Sequence, residues 1–177
     1  ALTWSATDQT SLYFTASKGY KSGGFATFGF DLHGGEVDDD GVAPPGTTPV
    51  QFEPETVDSY EVGAKMRLLD NTVHLNIALF NYTYKDLQLV YFDTGSSLVA
   101  NVGEAEGQGV EADLRWVPNQ NWDLYMGLSL LDTEITDAAD IEALGACGVC
   151  QGNNLPFAPE FSASALVNYF RPLKAGE

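Results

Sequence analysis

The sequence predicts an all-β protein, an antiparallel sheet of long strands that forms the wall of a transmembrane β-barrel. Three observations predict it. Side chains alternate between apolar and polar along several segments, the connections alternate between tight and long, and aromatic residues gather near the tight ones. A strand places successive side chains on opposite faces, and a barrel wall needs one face for lipid and one for the lumen. A half-buried soluble sheet gives the same alternation, so periodicity alone does not decide.

A hairpin over residues 55–92 shows the alternation most clearly. Its first arm sets polar residues, among them Glu61, Lys65 and Arg67, against apolar ones. The apolar residues of the two arms are Tyr60, Val62, Ala64, Met66 and Leu68, then Val73, Leu75, Ile77 and Leu79. Between the arms, residues 69–72 reverse the chain, because Asp and Asn tolerate the positive φ of a tight turn. Two such strands joined by a very short turn are the repeating unit of a barrel wall.

Further segments alternate in the same way over residues 11–17, 98–117, 122–130 and 161–170, and residues 1–6 read as the tail of a strand. Glu111 and Asp113, for example, alternate with apolar neighbours. The alternation predicts a lipid-facing set made of Val62, Ala64, Met66, Val110, Ala112 and Leu114. Residues 26–52 are rich in Gly, Pro, Thr and Asp and predict a long surface loop. A second long loop is predicted from about residue 136 to 159.

The connections differ at the two ends of the predicted strands. Those near Thr7, Asp70, Asn119 and Pro172 are tight, and those around Gly35, Gly95 and Gly145 are longer. Outer-membrane barrels have short periplasmic turns and long extracellular loops, so this asymmetry predicts the orientation. Trp4, Trp116, Trp122 and Tyr169 lie close to tight turns and predict an aromatic girdle at the periplasmic interface. The strands exceed the roughly 9–11 residues that cross a bilayer, so the wall continues above the membrane.

Composition excludes several classes of protein. The chain has 177 residues and a formal charge of −17, with 25 acidic residues and 8 Lys plus Arg. Nucleic-acid binding needs basic patches, so we expect no nucleic-acid partner. No apolar run approaches the roughly 18 residues of a membrane helix. No Ser/His/Asp order, phosphate loop or glycosidase-like pair is present, and we expect no enzymatic activity.

Several segments carry a family resemblance when they are taken in order. They are Gly19-Tyr20-Lys21-Ser22-Gly23-Gly24-Phe25, Phe52-Glu53-Pro54-Glu55, Ser59-Tyr60-Glu61-Val62-Gly63-Ala64-Lys65, Tyr84-Lys85-Asp86-Leu87-Gln88, Asn101-Val102-Gly103, Gly109-Val110-Glu111 and Ala158-Pro159-Glu160-Phe161. Together they resemble the barrel of TonB-dependent outer-membrane receptors over nearly the whole chain. The resemblance implies a 22-stranded barrel, an N-terminal plug, and uptake driven by the TonB energy-coupling protein of the inner membrane.

This sequence shows no plug, coupling box or closing C-terminal strand, so residues 1–177 are expected to be a partial barrel domain of six or seven consecutive strands. The parent protein would bind a scarce nutrient in the bacterial outer membrane and import it with TonB-coupled energy. A ferric siderophore is the cargo most often implied, with cobalamin, haem, metals and oligosaccharides open. The rivals are a complete small barrel with a structural or adhesive role, and a soluble β-sandwich binding module. Charged faces such as Glu61 to Arg67 argue against the sandwich.

Tyr20, Phe25, Phe28 and Phe30 are the candidate ligand-binding residues, because aromatic faces suit a bulky small molecule such as an iron chelate. Packing of the loop against the barrel mouth explains them equally well. Lys18 and Lys21 could meet an anionic ligand, or pair within this acidic chain. Mixed charges on the lumen face are expected to make cross-strand pairs or to hold a plug.

For the remaining polar motifs we expect no metal site and no cofactor. Asp38-Asp39-Asp40, with Glu36, could bind a hard cation through carboxylate oxygens, but it lacks the spacing of a calcium loop, and a solvated acidic loop is the preferred interpretation. His33 and His74 are isolated, and although one loop His could ligate haem iron, a structural role is preferred for both. Cys147 and Cys150 form a lone C-x-x-C without the context of a redox or zinc motif. A small disulfide in an extracellular loop is predicted, because envelope proteins mature in an oxidising compartment.

Overall fold

The computed structural model describes residues 1–25, 51–93, 96–101, 103–138 and 150–171. The strands are β1 (Leu2–Thr7), β2 (Thr10–Lys21), β3 (Gly24–Phe25), β4 (Gln51–Phe52), β5 (Glu55–Leu68), β6 (Val73–Lys85), β7 (Gln88–Asp93), β8 (Ser96–Asn101), β9 (Glu104–Asn119), β10 (Trp122–Asp137) and β11 (Phe161–Tyr169). In these ranges no helix has the length and apolarity to cross a membrane.

Seven of the strands form one antiparallel sheet in the order β1-β2-β5-β6-β9-β10-β11. Each therefore pairs with its neighbour along the chain, as in a meander. The other four strands form two small ribbons, β3–β4 and β7–β8, which lie within the β2–β5 and β6–β9 connections. The predicted all-β class and the predicted six or seven wall strands are confirmed. A sandwich is wrong for this chain, because in the described ranges the wall is one sheet.

The register across the sheet separates an apolar face from a polar face. Paired residues in an antiparallel sheet share a face, so whole rows can be followed from strand to strand. One row on the apolar face is Leu2, Phe14, Val62, Leu79, Val110, Leu130 and Phe161. The next row toward the tight turns is Trp4, Leu12, Ala64, Ile77, Ala112, Leu128 and Ala163. All six residues predicted to face lipid lie on this face.

The apolar face becomes polar toward the long connections. Beyond the row that contains Phe14, the next row is Ala16, Tyr60, Asn81, Gln108 and Asp132, and the one after it is Lys18, Asp58, Thr83, Glu106 and Glu134. The strands continue through both rows, since β5 has 14 residues, β6 has 13, and β9 and β10 have 16 each. About 9–11 residues suffice to cross a bilayer, so the wall extends past the apolar band as predicted.

The tight turns follow the predicted chemistry. Leu69, Asp70 and Asn71 have φ of 50°, 54° and 66°, and the Thr72 hydroxyl donates a hydrogen bond to the Leu69 carbonyl at 2.7 Å. At the next tight turn, the Asn121 amide donates to Asn119 Oδ1 at 2.9 Å. The four aromatic residues predicted near these turns lie on the apolar face, and the rings of Trp122 and Tyr169 are 4.7 Å apart. The predicted girdle thus forms at the tight-turn end.

Two predicted strands are divided in the structure. Strand β6 ends at Lys85, and Asp86 has a φ of 54°, so the predicted hairpin over residues 55–92 does not continue as one arm. Residues 98–117 form the end of β8 and most of β9, separated by Gly103 with a φ of 97°. The predictions of one continuous strand in each of these two segments are wrong. The residues beyond each break are also extended, in the β7–β8 ribbon, so the alternation in the sequence does not reveal the break. Strand β10 continues to Asp137, beyond the predicted segment 122–130, and β11 ends at Tyr169, one residue before the predicted end.

The buried core lies at the end of the sheet with the long connections. Leu87, Ala105, Ile135 and Ala138 form its centre, and Tyr84, Leu89, Cys150 and Leu155 pack against it. Most of the remaining large apolar side chains are exposed, for example Leu130 at 56% and Phe161 at 61%. A soluble sheet would bury such a face, so the apolar face requires another apolar environment.

Candidate ligand-facing site

The polar face of the wall carries charged groups toward its middle. Glu61 and Lys65 lie on β5, and Glu111 and Asp113 lie on β9. Lys65 Nζ lies 5.5 Å from the centre of the Tyr13 ring, within reach of a cation–π contact. Lys65 thus contacts the neighbouring strand β2.

Cross-strand contacts also connect polar groups nearer the tight turns. Asn76 Nδ2 donates to Asp113 Oδ1 at 3.0 Å, and Arg115 donates two hydrogen bonds to the Asp123 carboxylate at 3.0 and 2.8 Å. His74 lies between Arg67 and Arg115 in the register of this face. Within the described ranges, no three His, Cys, Asp or Glu side chains are grouped to hold a metal ion. The polar face therefore offers hydrogen bonds and charge.

Three aromatic side chains of β6 form a ladder on the polar face, which runs from the row of Glu61 toward the long connections. The β6 aromatic ladder consists of Phe80, Tyr82 and Tyr84. The rings of Phe80 and Tyr82 are 6.2 Å apart and inclined by 5°, and those of Tyr82 and Tyr84 are 5.4 Å apart and inclined by 77°. Sequence reasoning missed this ladder, although aromatic residues at a period of two signal one face of a strand.

Glycines of the neighbouring strand β9 hold the ladder against the sheet. Gly109 pairs with Phe80 and Gly107 pairs with Tyr82. A Cβ atom on Gly109 would come within 2.5 Å of the Phe80 ring, and one on Gly107 would overlap the Tyr82 ring. The rings thus cover the bare backbone of the next strand, an arrangement that stabilises glycines in sheets. They are half-buried and able to present a π surface to a ligand.

The comparison with protein families decides the class of protein. The family model described as TonB dependent receptor-like, beta-barrel matches residues 1–176. The chain belongs to this family. TonB-dependent receptor barrels lie in the outer membrane of Gram-negative bacteria, where the apolar face of a barrel wall meets lipid and the polar face meets the lumen. The tight turns are then periplasmic and the ribbons extracellular.

Related receptors agree in sequence and in fold. A probable TonB-dependent siderophore receptor PiuA of Acinetobacter baumannii is 31% identical over 121 residues, which are 67% of this chain and 16% of that protein. The pesticin receptor of Yersinia enterocolitica is 27% identical over 164 residues, 92% of this chain and 20% of that protein. The ferric yersiniabactin uptake receptor FyuA of Yersinia pestis superposes with a TM-score of 0.67 at 23% identity, covering 94% of this chain and 22% of that one. The chain spans a fifth or less of the two curated relatives.

The structure locates two of the four predicted ligand-binding residues of this TonB-dependent receptor barrel. Tyr20 is 83% exposed near the end of β2, and its register with Thr56 puts it on the outward face, beyond the apolar band. Phe25 is 58% exposed in the β3–β4 ribbon. Phe28 and Phe30 lie outside the described residues. Ligand binding by the four aromatic residues stays a prediction.

Of the other residues named as candidates from the sequence, some lie in the described ranges and some lie outside them. Lys18 Nζ lies 3.5 Å from Asp58 Oδ1. This is the alternative in which the lysine pairs with an acidic residue of the chain instead of an anionic ligand. His33, the acidic segment Asp38-Asp39-Asp40 and Cys147 lie outside the described residues. Cys150 packs at the edge of the buried core, and its carbonyl accepts a hydrogen bond from the Asn153 amide at 3.1 Å. The pairing of Cys147 with Cys150 stays a prediction.

Proposed function

We propose that this chain is part of the wall and outer loops of a receptor that binds a ferric siderophore outside the cell and imports it with TonB-coupled energy. The match of the barrel family over residues 1–176 carries the proposal. The named relatives support the cargo, since one is a probable siderophore receptor. Transport breaks no bond in the cargo, so we propose no enzymatic activity. The partners are outer-membrane lipid, the TonB protein and an iron chelate.

The β6 aromatic ladder and the loop over residues 26–50 are the surfaces proposed to meet the chelate. The ladder lies on the lumen face near the extracellular end, where cargo enters. Aromatic contacts contribute about 0.5–1.5 kcal/mol each beyond the area they bury, enough to change affinity several-fold. The loop joins strands β3 and β4 of an exposed ribbon, and binding residues on a rigid scaffold tend to lie in such loops.

The proposal is tested with the full-length receptor in cells that lack other siderophore receptors. Iron-55 chelates of several siderophore classes are offered, and binding at low temperature is measured apart from uptake. We expect one class to bind, and uptake to stop when TonB is absent while binding persists. Binding of cobalamin, haem or an oligosaccharide instead would contradict the siderophore assignment.

Two variants test the proposed surfaces. Deletion of residues 27–48 removes no described strand residue, so the barrel should fold and appear at the cell surface with weakened ligand binding. Tyr82→Ala removes one ring of the ladder and should weaken binding several-fold, whereas Tyr125→Ala is a matched control on the same face near the tight turns. Unchanged affinity after the deletion would move the binding site away from this loop. Equal losses in the two tyrosine variants would show that the ladder only supports the fold.

A further inference from the structure

We infer that Gln88 and Asn101 clamp the two extracellular ribbons together, so that the β3–β4 ribbon, with Phe25 at its end, is held in one position against the β7–β8 ribbon. The inference rests on the proposed function of the segment between β3 and β4 in ligand capture. These two residues are positioning residues, because they act on the ligand through the ribbon and not by contact. They pair with each other at the root of the β7–β8 ribbon, where it leaves the wall.

Gln88 holds both ends of the segment that contains the β3–β4 ribbon. Its side chain is buried, with 7% of its surface exposed. Its Nε2 atom donates to the Ser22 carbonyl at 3.1 Å, just before β3, and to the Glu53 carbonyl at 3.0 Å, just after β4. Its backbone amide donates to Glu55 Oε2 at 2.8 Å. One side-chain amide thus bridges the chain just before β3 and the chain just after β4.

Asn101, on the other strand of the β7–β8 ribbon, also forms hydrogen bonds with Glu53. Its Nδ2 atom donates to the Glu53 carbonyl at 3.0 Å and to the Asp86 carbonyl at 2.6 Å. Its Oδ1 atom accepts the Glu53 amide at 2.7 Å. Both hydrogen-bonding groups of the Glu53 backbone are therefore taken by one side chain, as a neighbouring strand would take them. The Asp86 contact joins this point to the turn that ends β6.

Close backbone packing surrounds the clamp. A Cβ atom on Gly23 would lie 2.5 Å from the Phe52 carbonyl oxygen and 2.9 Å from the Pro54 nitrogen, so the segments before β3 and after β4 touch directly. Strands β4 and β8 also contact each other. Four of the segments that resemble the receptor family, around Gly23, Glu53, Gln88 and Asn101, meet here. Neither ribbon can move far from the other while these contacts persist.

Paired nitroxide labels test the clamp in the full-length receptor in outer-membrane vesicles. The labels are attached at Gln51→Cys in β4 and Val90→Cys in β7, both exposed positions. The near-isosteric changes Gln88→Glu and Asn101→Asp keep the size of each side chain and replace donors with a carboxylate facing carbonyl oxygens. Gln108→Glu and Asn81→Asp make the same chemical changes on the outward face of the wall, away from the ribbons.

We expect a single narrow distance distribution in the unmodified receptor and in both control variants. The distribution should broaden clearly in Gln88→Glu and in Asn101→Asp. If the correctly held β3–β4 ribbon falls to about a fifth of the population, affinity for the iron chelate weakens about fivefold, with unchanged receptor number. Distributions as narrow as the controls in both clamp variants would overturn the inference. Failure of the proposed function is a separate result, namely chelate binding that ignores deletion of residues 27–48.

Discussion

The position of each residue along its strand decides which environment its side chain meets in this wall. Ala112 lies in an apolar row between Ile77 and Leu128, whereas Glu111 lies in the lumen row between Ala78 and Ser129. A one-residue shift would exchange these environments for a whole strand. The apolar neighbours of Ala112 therefore make its position sensitive to charge.

An arginine on the lipid face should destabilise the barrel. Ala112→Arg is expected to cost about 2–4 kcal/mol at the bilayer midplane, because its guanidinium has no water there. Ser129→Arg is the matched control on the lumen face. The measurement is the free energy of unfolding of the refolded full-length barrel in lipid vesicles, followed in urea. Equal losses in the two variants would contradict the assignment of faces.

The predicted disulfide can also be tested at the scale of single residues. Cys147 and Cys150 should be bonded in receptor purified from the cell envelope without reductant. Thiol labelling of the unfolded protein should then modify neither cysteine until a reductant is added. Labelling of both cysteines before reduction would show that they remain free thiols.

At the scale of the strands, glycine defines where the wall and the ribbons separate. Gly103 has a φ of 97°, and a Cβ atom there would lie 2.5 Å from the Asp137 carbonyl oxygen. It thus combines a left-handed conformation with close contact to the end of β10. Gly152 has a φ of 83° with no neighbouring atom in the way of a Cβ. A comparison of alanine substitutions at these two glycines therefore separates the cost of a positive φ from the cost of steric overlap.

Gly103→Ala should therefore destabilise the barrel more than Gly152→Ala. Positive φ alone costs an alanine roughly 1–2 kcal/mol, and this cost is common to both variants. The overlap with Asp137 is an additional cost that only Gly103→Ala has. Urea midpoints of the two full-length variants measure the difference. A larger loss for Gly152→Ala would mean that the chain around Gly103 moves apart without cost.

At the scale of the whole molecule, connection length fixes the orientation in the membrane. Gln120 lies in a tight turn, and Phe157 lies in the long connection between β10 and β11, where its side chain is fully exposed. These two sites should therefore meet opposite sides of the outer membrane.

Labelling in intact cells checks this orientation. A membrane-impermeant maleimide should modify Phe157→Cys in intact cells, and Gln120→Cys only after the outer membrane is permeabilised. Wild-type receptor, tested in parallel, gives the background from Cys147 and Cys150. The reverse pattern would place the ribbons and the proposed ligand site in the periplasm.

Local chemistry in the sequence determined the two faces, the tight turns and the number of wall strands. The period of two needs only neighbouring residues, and Asp70 and Asn71 accept positive φ wherever they stand. Tertiary structure alone decided the breaks at Asp86 and Gly103, because the ribbon beyond them is also extended. It also placed aromatic rings over glycines, which depends on the register between β6 and β9.

The clamp belongs to tertiary structure for the same reason. The sequence shows its segments as a family resemblance without indicating that they touch. Asn101 reaches Glu53 across 48 residues, and Gln88 reaches Ser22 across 66. Such contacts form only when antiparallel pairing of the long wall strands brings the bases of two connections to the same end of the sheet. The periodicity of side chains along one strand does not show which distant segments meet there.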